Sequence, residues 1–350
     1  MVILKSIWLE VKQYMGKIRL ADIAKEVGVS TVTVHNALSG NKGVSEEMRR
    51  KIQQVAEQMG YQPSSSAKKQ EEGEVRYRNI GVLVAEKFLA QYETFYSKMY
   101  QELTVLAAEK RCFTSVEVLK KEEEKNTRRL PESLKAGILD GMIVIGEVDR
   151  TYLKKLKEAA RIPIVFLDFY DEEIAADAVI SDNFYGMYQL TEFMFKQGIE
   201  DLGFVGSIYA TSSIMDRYCG FMKAMMIHGK KLNPEWMLED RDEIGQVDVT
   251  LPNVLPQGFV CNCDLTASIL IDRLAEKGIR VPEDIAVIGF DNYLYPGLAD
   301  FKITTYEVDI RAMCSVALKK LLKQLKNPRS GRGLDIVSGH MVIKQSVKLK

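Results

Sequence analysis

A run of closely spaced residues combines hydroxyl, apolar, imidazole and amide side chains within about two helical turns. An asparagine can form two hydrogen bonds with adenine, an apolar side chain can contact the thymine methyl group, and a hydroxyl can bond to several bases. This combination suits the major groove of duplex DNA. The residues expected to make such contacts are Arg19, Ser30, Thr31, Val32, Thr33, His35 and Asn36, with phosphate contacts from Lys25, Arg49, Arg50 and Lys51.

The segment 17–63 contains the elements that would position this surface. Its apolar residues recur at helical spacing in three blocks, which predicts three amphipathic helices. Gly28 can end the first helix with a positive φ, Ser30 can cap the second, and Ser45 can cap the third. The pattern therefore predicts a helix-turn-helix head. The alternative is a small helical bundle whose polar face is only solvated.

The composition limits what the remainder of the chain can be. The chain has 350 residues with 46% hydrophobic composition and a formal net charge of zero, which indicates two or three folding units and localised rather than general basic contacts. Five scattered cysteines without a disulfide or zinc spacing favour a reduced, cytoplasmic compartment. Charges interrupt the apolar N-terminal residues, so these residues do not form a signal peptide. We expect residues 1–16 to be a non-native extension, because Met15 can serve as the start of the native chain.

From residue 80 onward, apolar strand-like runs alternate with helical ones, which is the pattern of parallel βαβ units. Three polar residues stand out: Asp168 and Asp291 each follow a predicted strand, and Arg217 lies near the start of a helix. Two carboxylates that accept and one guanidinium that donates hydrogen bonds suit a polyhydroxylated ligand. The alternative is that the aspartates cap turns and the arginine anchors a hinge.

The head resembles that of the LacI/GalR family of bacterial transcription regulators. The resemblance rests on the run DIAKEVGVSTVTVHNALSG, the following VS, a basic helix and the closing MGYQP. Two features depart from the family pattern: His35 and Asn36 stand where Ser followed by Arg or Lys is usual, and Arg19 replaces a Ser or Thr cap.

The resemblance implies an all-α helix-turn-helix head joined to an α/β two-lobed, periplasmic-binding-protein-like core with parallel sheets. A polar hinge at 64–79 would connect them, with Lys68 and Lys69 near phosphates, while Gln70 replaces the leucine that wedges into the minor groove in the family. We expect the core to span 80–350. Its N-subdomain would comprise about 80–180 and 305–328, and its C-subdomain about 181–304 and 329–350.

The family positions that contact the effector match Asp168, Arg217 and Asp291, and Cys263 stands where the family often has asparagine. The aromatic residues Phe88, Tyr92 and Trp236 are expected to contact the flat faces of a sugar or a nucleoside. These features favour a homodimeric repressor that binds a near-palindromic operator and needs no cofactor, metal or membrane. A solute-binding transport protein of the same core fold is the alternative. An enzyme is the weaker one, because no phosphate-binding loop or catalytic triad pattern occurs.

Overall fold

The computed structural model describes residues 19–38, 43–59, 61, 77–89, 95–126, 129–242, 245–295, 301–328, 330 and 332–350. The chain divides into two compact units at Arg76 and Tyr77, a head and a body. The expected extension 1–16 and nearly all of the hinge 64–79 lie outside the described residues.

The head contains three helices, as predicted: α1 (Leu20–Val27), α2 (Thr31–Leu38) and α3 (Glu46–Gln58). Gly28 ends α1 in the left-handed region at φ 79°, where only glycine escapes a steric penalty. The hydroxyl of Ser30 accepts a hydrogen bond from the Thr33 amide at 3.0 Å, and that of Ser45 accepts one from the Met48 amide at 3.3 Å. The three expected end signals are confirmed.

A small apolar core holds the head together. Ile23, Val34 and Ile52 are fully buried, one from each helix, and alanines fill the space between them. Because Val34 and Ala37 point into this core, helical geometry turns the preceding and following residues of α2 outward. The head therefore fixes the orientation of α2.

The body consists of two lobes, each built on a parallel sheet. The elements in chain order are β1 (Arg78–Ala85), α4 (Phe95–Glu109), β2 (Cys112–Leu119), α5 (Lys121–Lys125), α6 (Glu132–Lys135), β3 (Gly141–Ile145), α7 (Arg150–Ala159), β4 (Ile164–Leu167), β5 (Asp177–Ser181), α8 (Asn183–Lys196), β6 (Leu202–Val205), α9 (Ser212–Ile227), β7 (Met237–Leu238), β8 (Gly258–Cys261), α10 (Asp264–Glu276), β9 (Ala286–Ile288), β10 (Thr305–Glu307), α11 (Ile310–Lys326), β11 (Leu334–Val337) and β12 (His340–Val342). The first sheet has the strand order β11-β5-β4-β3-β1-β2 and the second β7-β6-β8-β9, while β10 and β12 form a short antiparallel pair.

The lobe boundaries differ from the expected ones at two places. The strand β11 pairs in parallel with β5 and so belongs to the first sheet, although 329–350 was expected in the C-subdomain. The strand β10 was expected in the N-subdomain, as part of 305–328, but it pairs with β12 at the edge of the second lobe. Neighbouring bridges there link Ile288 to Thr304 and Asp291 to Glu307. Short apolar strands of this kind fit either sheet by pattern, so only tertiary pairing decides their lobe.

Apolar packing continues through both lobes. One buried cluster runs from Val84 and Ile145 of the first sheet through Met187 of α8 to Phe204 and Ile288 of the second. Two further clusters cover the remaining face of each sheet. The inner strands of both sheets are buried almost throughout, as expected for parallel sheets with helices on both faces, whereas the outer strands β2 and β11 are partly exposed. The polar residues that follow the carboxyl ends of the inner strands are left to form a site between the lobes.

Candidate functional site

The outward face of α2 presents most of the residues predicted to contact DNA. Val32 is 65% exposed, and Thr31 and His35 are also exposed, while Asn36 is half-buried. Ser30 and Thr33 lie at the start of the helix, where their hydroxyls are 2.8 Å apart. Arg19 is exposed at the start of α1, and its backbone amide donates to the Asp22 carboxylate at 2.7 Å.

Arg49, which was predicted to contact phosphate, also has partners within the head. Its Nη1 donates to the carbonyl oxygens of Asn36 at 3.2 Å and Ala37 at 2.9 Å. It thereby satisfies carbonyls at the carboxyl end of α2, a structural task that helix ends require. Lys68 and Lys69 lie outside the described residues.

A cavity of about 230 Å³ lies between the two lobes of the body. It sits beyond the carboxyl ends of strands in both sheets, the place where open parallel sheets bind ligands. The first lobe contributes Phe88, Phe95, Tyr96 and Asp168, and the second contributes Arg217, Cys263 and Asp291. The sequence-predicted residues Phe88, Asp168, Arg217, Cys263 and Asp291 are therefore brought together in one cavity.

Arg217 is the fixed centre of this cavity. It is 5% exposed, and its Nε donates to Asn183 Oδ1 at 2.9 Å while Nη1 donates to the Asn262 carbonyl at 2.7 Å. Its Nη2 lies 3.1 Å from Asp291 Oδ1, and its guanidinium stacks 4.0 Å above the Phe290 ring. Burial opposes the charge of Arg217, but the neighbouring carboxylates of Asp291 and Asp168 outweigh it and raise its pKa.

The two aspartates carry unused hydrogen-bonding capacity. Among the described residues, no hydrogen-bond donor contacts Asp168 Oδ1, and Asp291 Oδ1 is held by the ion pair with Arg217 Nη2 at 3.1 Å; both oxygens are buried. Burial raises the pKa of Asp168 to about 6 and that of Asp291 to about 7, although Arg217 opposes both shifts. Both residues also hold positive φ angles, 69° and 102°. A buried acceptor without a donor and strained backbone of this kind mark binding sites.

Aromatic rings and polar residues complete the wall. Phe88 and Tyr96 have ring centroids 4.5 Å apart, and the Tyr96 hydroxyl donates to Asp168 Oδ2 at 3.0 Å. Cys263 lines the cavity, and its Sγ lies 3.3 Å from Thr266 Oγ1. Burial raises the pKa of the Cys263 thiol to about 11, so it is a neutral wall group at ordinary pH.

Trp236, which was predicted to contact the ligand, lies in the short 3-10 helix Pro234–Trp236 and not among the described residues that line the cavity. Its indole N–H donates to the carbonyl oxygen of Val254 at 2.9 Å, so the side chain ties down a loop of the second lobe. The sequence around an aromatic residue in a polar loop does not indicate whether its side chain contacts a ligand or anchors the loop. Tyr92 lies outside the described residues.

Asp240 and Arg241 are site residues that sequence analysis missed. Arg241 lines the cavity, and both oxygens of Asp240 bind its guanidinium, at 3.0 and 2.7 Å. Asp240 is fully buried and also accepts from Thr266 and Asn262, each at 2.6 Å. Burial alone would raise the pKa of Asp240, yet Arg241 and the other donors lower it overall. The surrounding run of charges, EDRD, is typical of a solvated loop, which hid this pair.

The cavity offers carboxylate acceptors, guanidinium donors and aromatic surfaces, a combination suited to a small ligand rich in hydroxyl groups. Among the side chains that the structure describes, no group of three or more His, Cys, Asp or Glu residues is arranged to hold a metal ion.

Comparison with known proteins identifies both units. Residues 19–64 match the family model of bacterial regulatory proteins of the lacI family, and residues 191–347 match a periplasmic binding protein-like domain. The head of this chain is a lacI-family domain. The curated relatives that match both units are transcription regulators, and this chain is a DNA-binding transcription regulator as well.

Relatives of this regulator match it over nearly its whole length. The HTH-type transcriptional repressor PurR of Pasteurella multocida (strain Pm70) is 26% identical over 339 residues, which cover 94% of this chain and 98% of the relative. A solved complex of the transcriptional regulator CelR with cellobiose has a TM-score of 0.65 at 18% identity, covering 94% and 99% of the chains. The lac repressor dimer bound to operator and an anti-inducer has a TM-score of 0.62 at 19% identity, covering 95% and 99%.

These likenesses confirm the predicted fold class, a helical head followed by a core with parallel sheets. The relatives are transcription regulators rather than enzymes. None of the helices in the described parts of the chain is both long and apolar enough to cross a bilayer.

Proposed function

We propose that this DNA-binding regulator is a repressor whose affinity for its operator is controlled by a sugar or nucleoside bound in the cavity between the lobes. In this proposal Val32, His35 and Asn36 contact bases in the major groove, and Ser30, Thr31 and Arg19 contact the DNA around them. Asp168, Arg217 and Asp291 bind the effector.

The observation that carries the effector proposal is the pair of buried carboxylates beside Arg217, one of which has an oxygen without a donor among the described residues. Asp168 Oδ1 and Asp291 Oδ1 come from opposite lobes and are both buried. A buried acceptor without a donor costs free energy, and a ligand hydroxyl group would supply the missing donor. Because one oxygen belongs to each lobe, a ligand that satisfies both would favour the closed arrangement of the lobes.

The volume and walls of the cavity narrow the ligand class. At about 230 Å³ the cavity is below the size that drug-like ligands require, so a compact ligand fits best. Phe88 and Tyr295 offer aromatic surface to the flat face of a sugar ring or a base. The CelR complex contains cellobiose, and PurR is a transcriptional repressor. A sugar ligand and repression of transcription therefore both have parallels among the relatives.

Self-association is part of the proposal. The outer strand β2 has an unpaired edge in the first sheet and carries exposed apolar residues, including Phe113 at 60% and Val116 at 44%. The ring of Tyr77 stacks on Phe113 with centroids 4.9 Å apart, which extends this apolar surface. Exposed edges and apolar patches of this kind are sites of chain pairing. A homodimer formed there would present two heads to a near-palindromic operator, as the lac repressor dimer does to its own.

Control of DNA binding would follow from lobe movement. An effector that binds one closure state more tightly shifts the population toward that state, and this shift would change the spacing of the two heads in the dimer. The size of the effect is limited by the difference in effector affinity between the two states.

The test uses the full-length protein and fragments of its own genome. Fragments retained by the protein are sequenced, and the dissociation constant for the best fragment is measured with and without each member of a panel of sugars and nucleosides. We expect a shared near-palindromic motif and at least one compound that weakens binding fivefold or more. Selection without a motif would refute the DNA-reading part, and a motif unaffected by any bound compound would refute effector control.

A further inference from the structure

Two hydrogen bonds tie the start of helix α9 in the second lobe to the first lobe. The backbone amide of Ser212 donates to Glu147 Oε2 at 2.7 Å, and the Tyr170 hydroxyl donates to Asp216 Oδ1 at 3.5 Å. Glu147 follows strand β3 and Tyr170 follows strand β4. Ser212 and Asp216 are four residues apart on α9, so both contacts lie on one side of its first turns.

The Glu147 contact is the stronger of the two. The first amides of a helix have no partner within the helix, and its N-terminus attracts negative charge. A carboxylate that accepts from such an amide forms a charge-assisted hydrogen bond. The contact joins residues 65 positions apart in the chain and is partly buried, which limits competition from water.

Helix α9 is also the element that carries much of the effector cavity. Thr211 caps it, with its hydroxyl accepting from the Ile214 amide at 3.3 Å, and Ser213 and Arg217 lie within its first two turns. The position of the α9 start therefore sets where Arg217 stands relative to Asp168 of the first lobe. Glu147 acts on this position from the opposite side of the cleft.

The backbone turn that contains Glu147 packs against the wall of the cavity. Gly146 has φ 75°, and a Cβ atom there would lie 2.6 Å from the ring of Phe88, so this ring sits directly over the backbone next to Glu147. Phe88 lines the cavity. A ligand that moves or immobilises Phe88 would thus act on the turn that carries Glu147.

We infer that Glu147 is a positioning residue that favours the closed arrangement of the two lobes through the N-terminus of α9. This inference deepens the proposed function and rests on it for its effect on effector binding, but lobe closure itself is measured without DNA or ligand. Removal of the Glu147 carboxylate increases the population of the open form by about tenfold or more, the scale of one hydrogen bond to a charged group.

The experiment measures a distance across the cleft by electron paramagnetic resonance. Cys219 on α9 is exposed and the other four cysteines are buried, so Cys219 accepts a spin label selectively. A Thr151→Cys substitution at the exposed start of α7 provides the second label, in the first lobe. Labelled full-length protein is diluted with unlabelled protein so that only distances within one chain are recorded. The variants are Glu147→Ala, Glu147→Gln and the matched control Glu158→Gln, which changes an exposed glutamate paired with Lys155.

We expect one short distance for the parent and for Glu158→Gln, an added longer population for Glu147→Ala, and an intermediate result for Glu147→Gln, whose amide oxygen still accepts. Melting curves show whether each variant folds. Unchanged distances in a folded Glu147→Ala protein would overturn the inference, and so would a lower melting temperature without a distance change, because Glu147 would then only cap the helix. Loss of the proposed function would appear separately, as failure of the parent protein to select a DNA motif.

Discussion

Replacement of Arg217 by methionine tests the electrostatic centre of the effector cavity. Methionine retains much of the apolar stem but removes the donors to Asn183 and Asn262 and the charge beside Asp291. Breaking one side of a buried ion pair costs about 3–5 kcal/mol, and each acceptor left without a donor costs about 1–3 kcal/mol more. Relaxation and water entry offset part of this sum, so we expect a loss of about 5 kcal/mol.

A loss of this size lowers the melting temperature by about 10 °C or more in a protein of this length. Differential scanning calorimetry at pH 8 measures it. The surface substitution Arg273→Met is the matched control, because Arg273 pairs with exposed Asp248 and Glu276 and such pairs contribute little. The loss should be smaller at pH 5.5, where Asp291, with a pKa of about 7, is protonated and tolerates the missing partner.

The double variant Arg217→Met with Asp291→Asn completes the cycle. We expect it to recover at least 1 kcal/mol relative to the sum of the single losses, because the neutral amide no longer needs the cation. A decrease in melting temperature at pH 8 no larger than that of Arg273→Met would show that the charge of Arg217 does not stabilise the fold. The description of the site would then have to be abandoned.

Three further outcomes are expected. Asn36→Ala should relax the preference at one operator position by about 1–3 kcal/mol in a competition assay across single-base variants, whereas an equal loss on all sequences would assign Asn36 to phosphate contact. Effector affinity should rise between pH 5 and pH 8 in calorimetric titrations. Burial raises the pKa of Asp168 to about 6 and that of Asp291 to about 7, and only the ionised carboxylates accept fully from ligand hydroxyl groups. The effect on folding has the opposite sign: the raised pKa values of these two groups stabilise the fold at low pH, and this contribution is lost as the pH rises through 6 to 7. A flat affinity profile would exclude both carboxylates from the site. Trp236→Phe should leave effector affinity unchanged and cost about 1 kcal/mol of stability through the lost bond to Val254, so a tenfold weaker affinity would return Trp236 to the binding surface.

The head was predictable because its signals are local. Gly28 ends a helix through its backbone freedom, and Ser30 and Ser45 begin helices through their side-chain hydroxyls. Val34 faces inward because of the period of the helix. The role of Arg49 was not predictable, because its two acceptors lie 12 and 13 residues away and a basic residue on an exposed helix carries no sign of a fixed partner.

The body was predictable in class but only partly in detail. Polar residues after buried strands indicated Asp168 and Asp291, since the carboxyl ends of parallel strands meet at one edge. Asp240 escaped notice because its burial depends on hydrogen bonds from Asn262 and Thr266, which are more than 20 residues away in the chain. The assignment of Leu334–Val337 depended on which sheet edge was free. In each case, a contact between parts of the chain far apart in sequence decided the outcome.

The most direct test of the central claim is the equilibrium affinity of the full-length protein for DNA fragments selected from its own genome, measured with and without sugars and nucleosides. We predict a near-palindromic motif whose affinity drops at least fivefold with one of these compounds in the parent protein but not in Arg217→Met, tested at a temperature where that variant remains folded. Absence of preference for any fragment over bulk DNA, with and without every compound, would contradict the account.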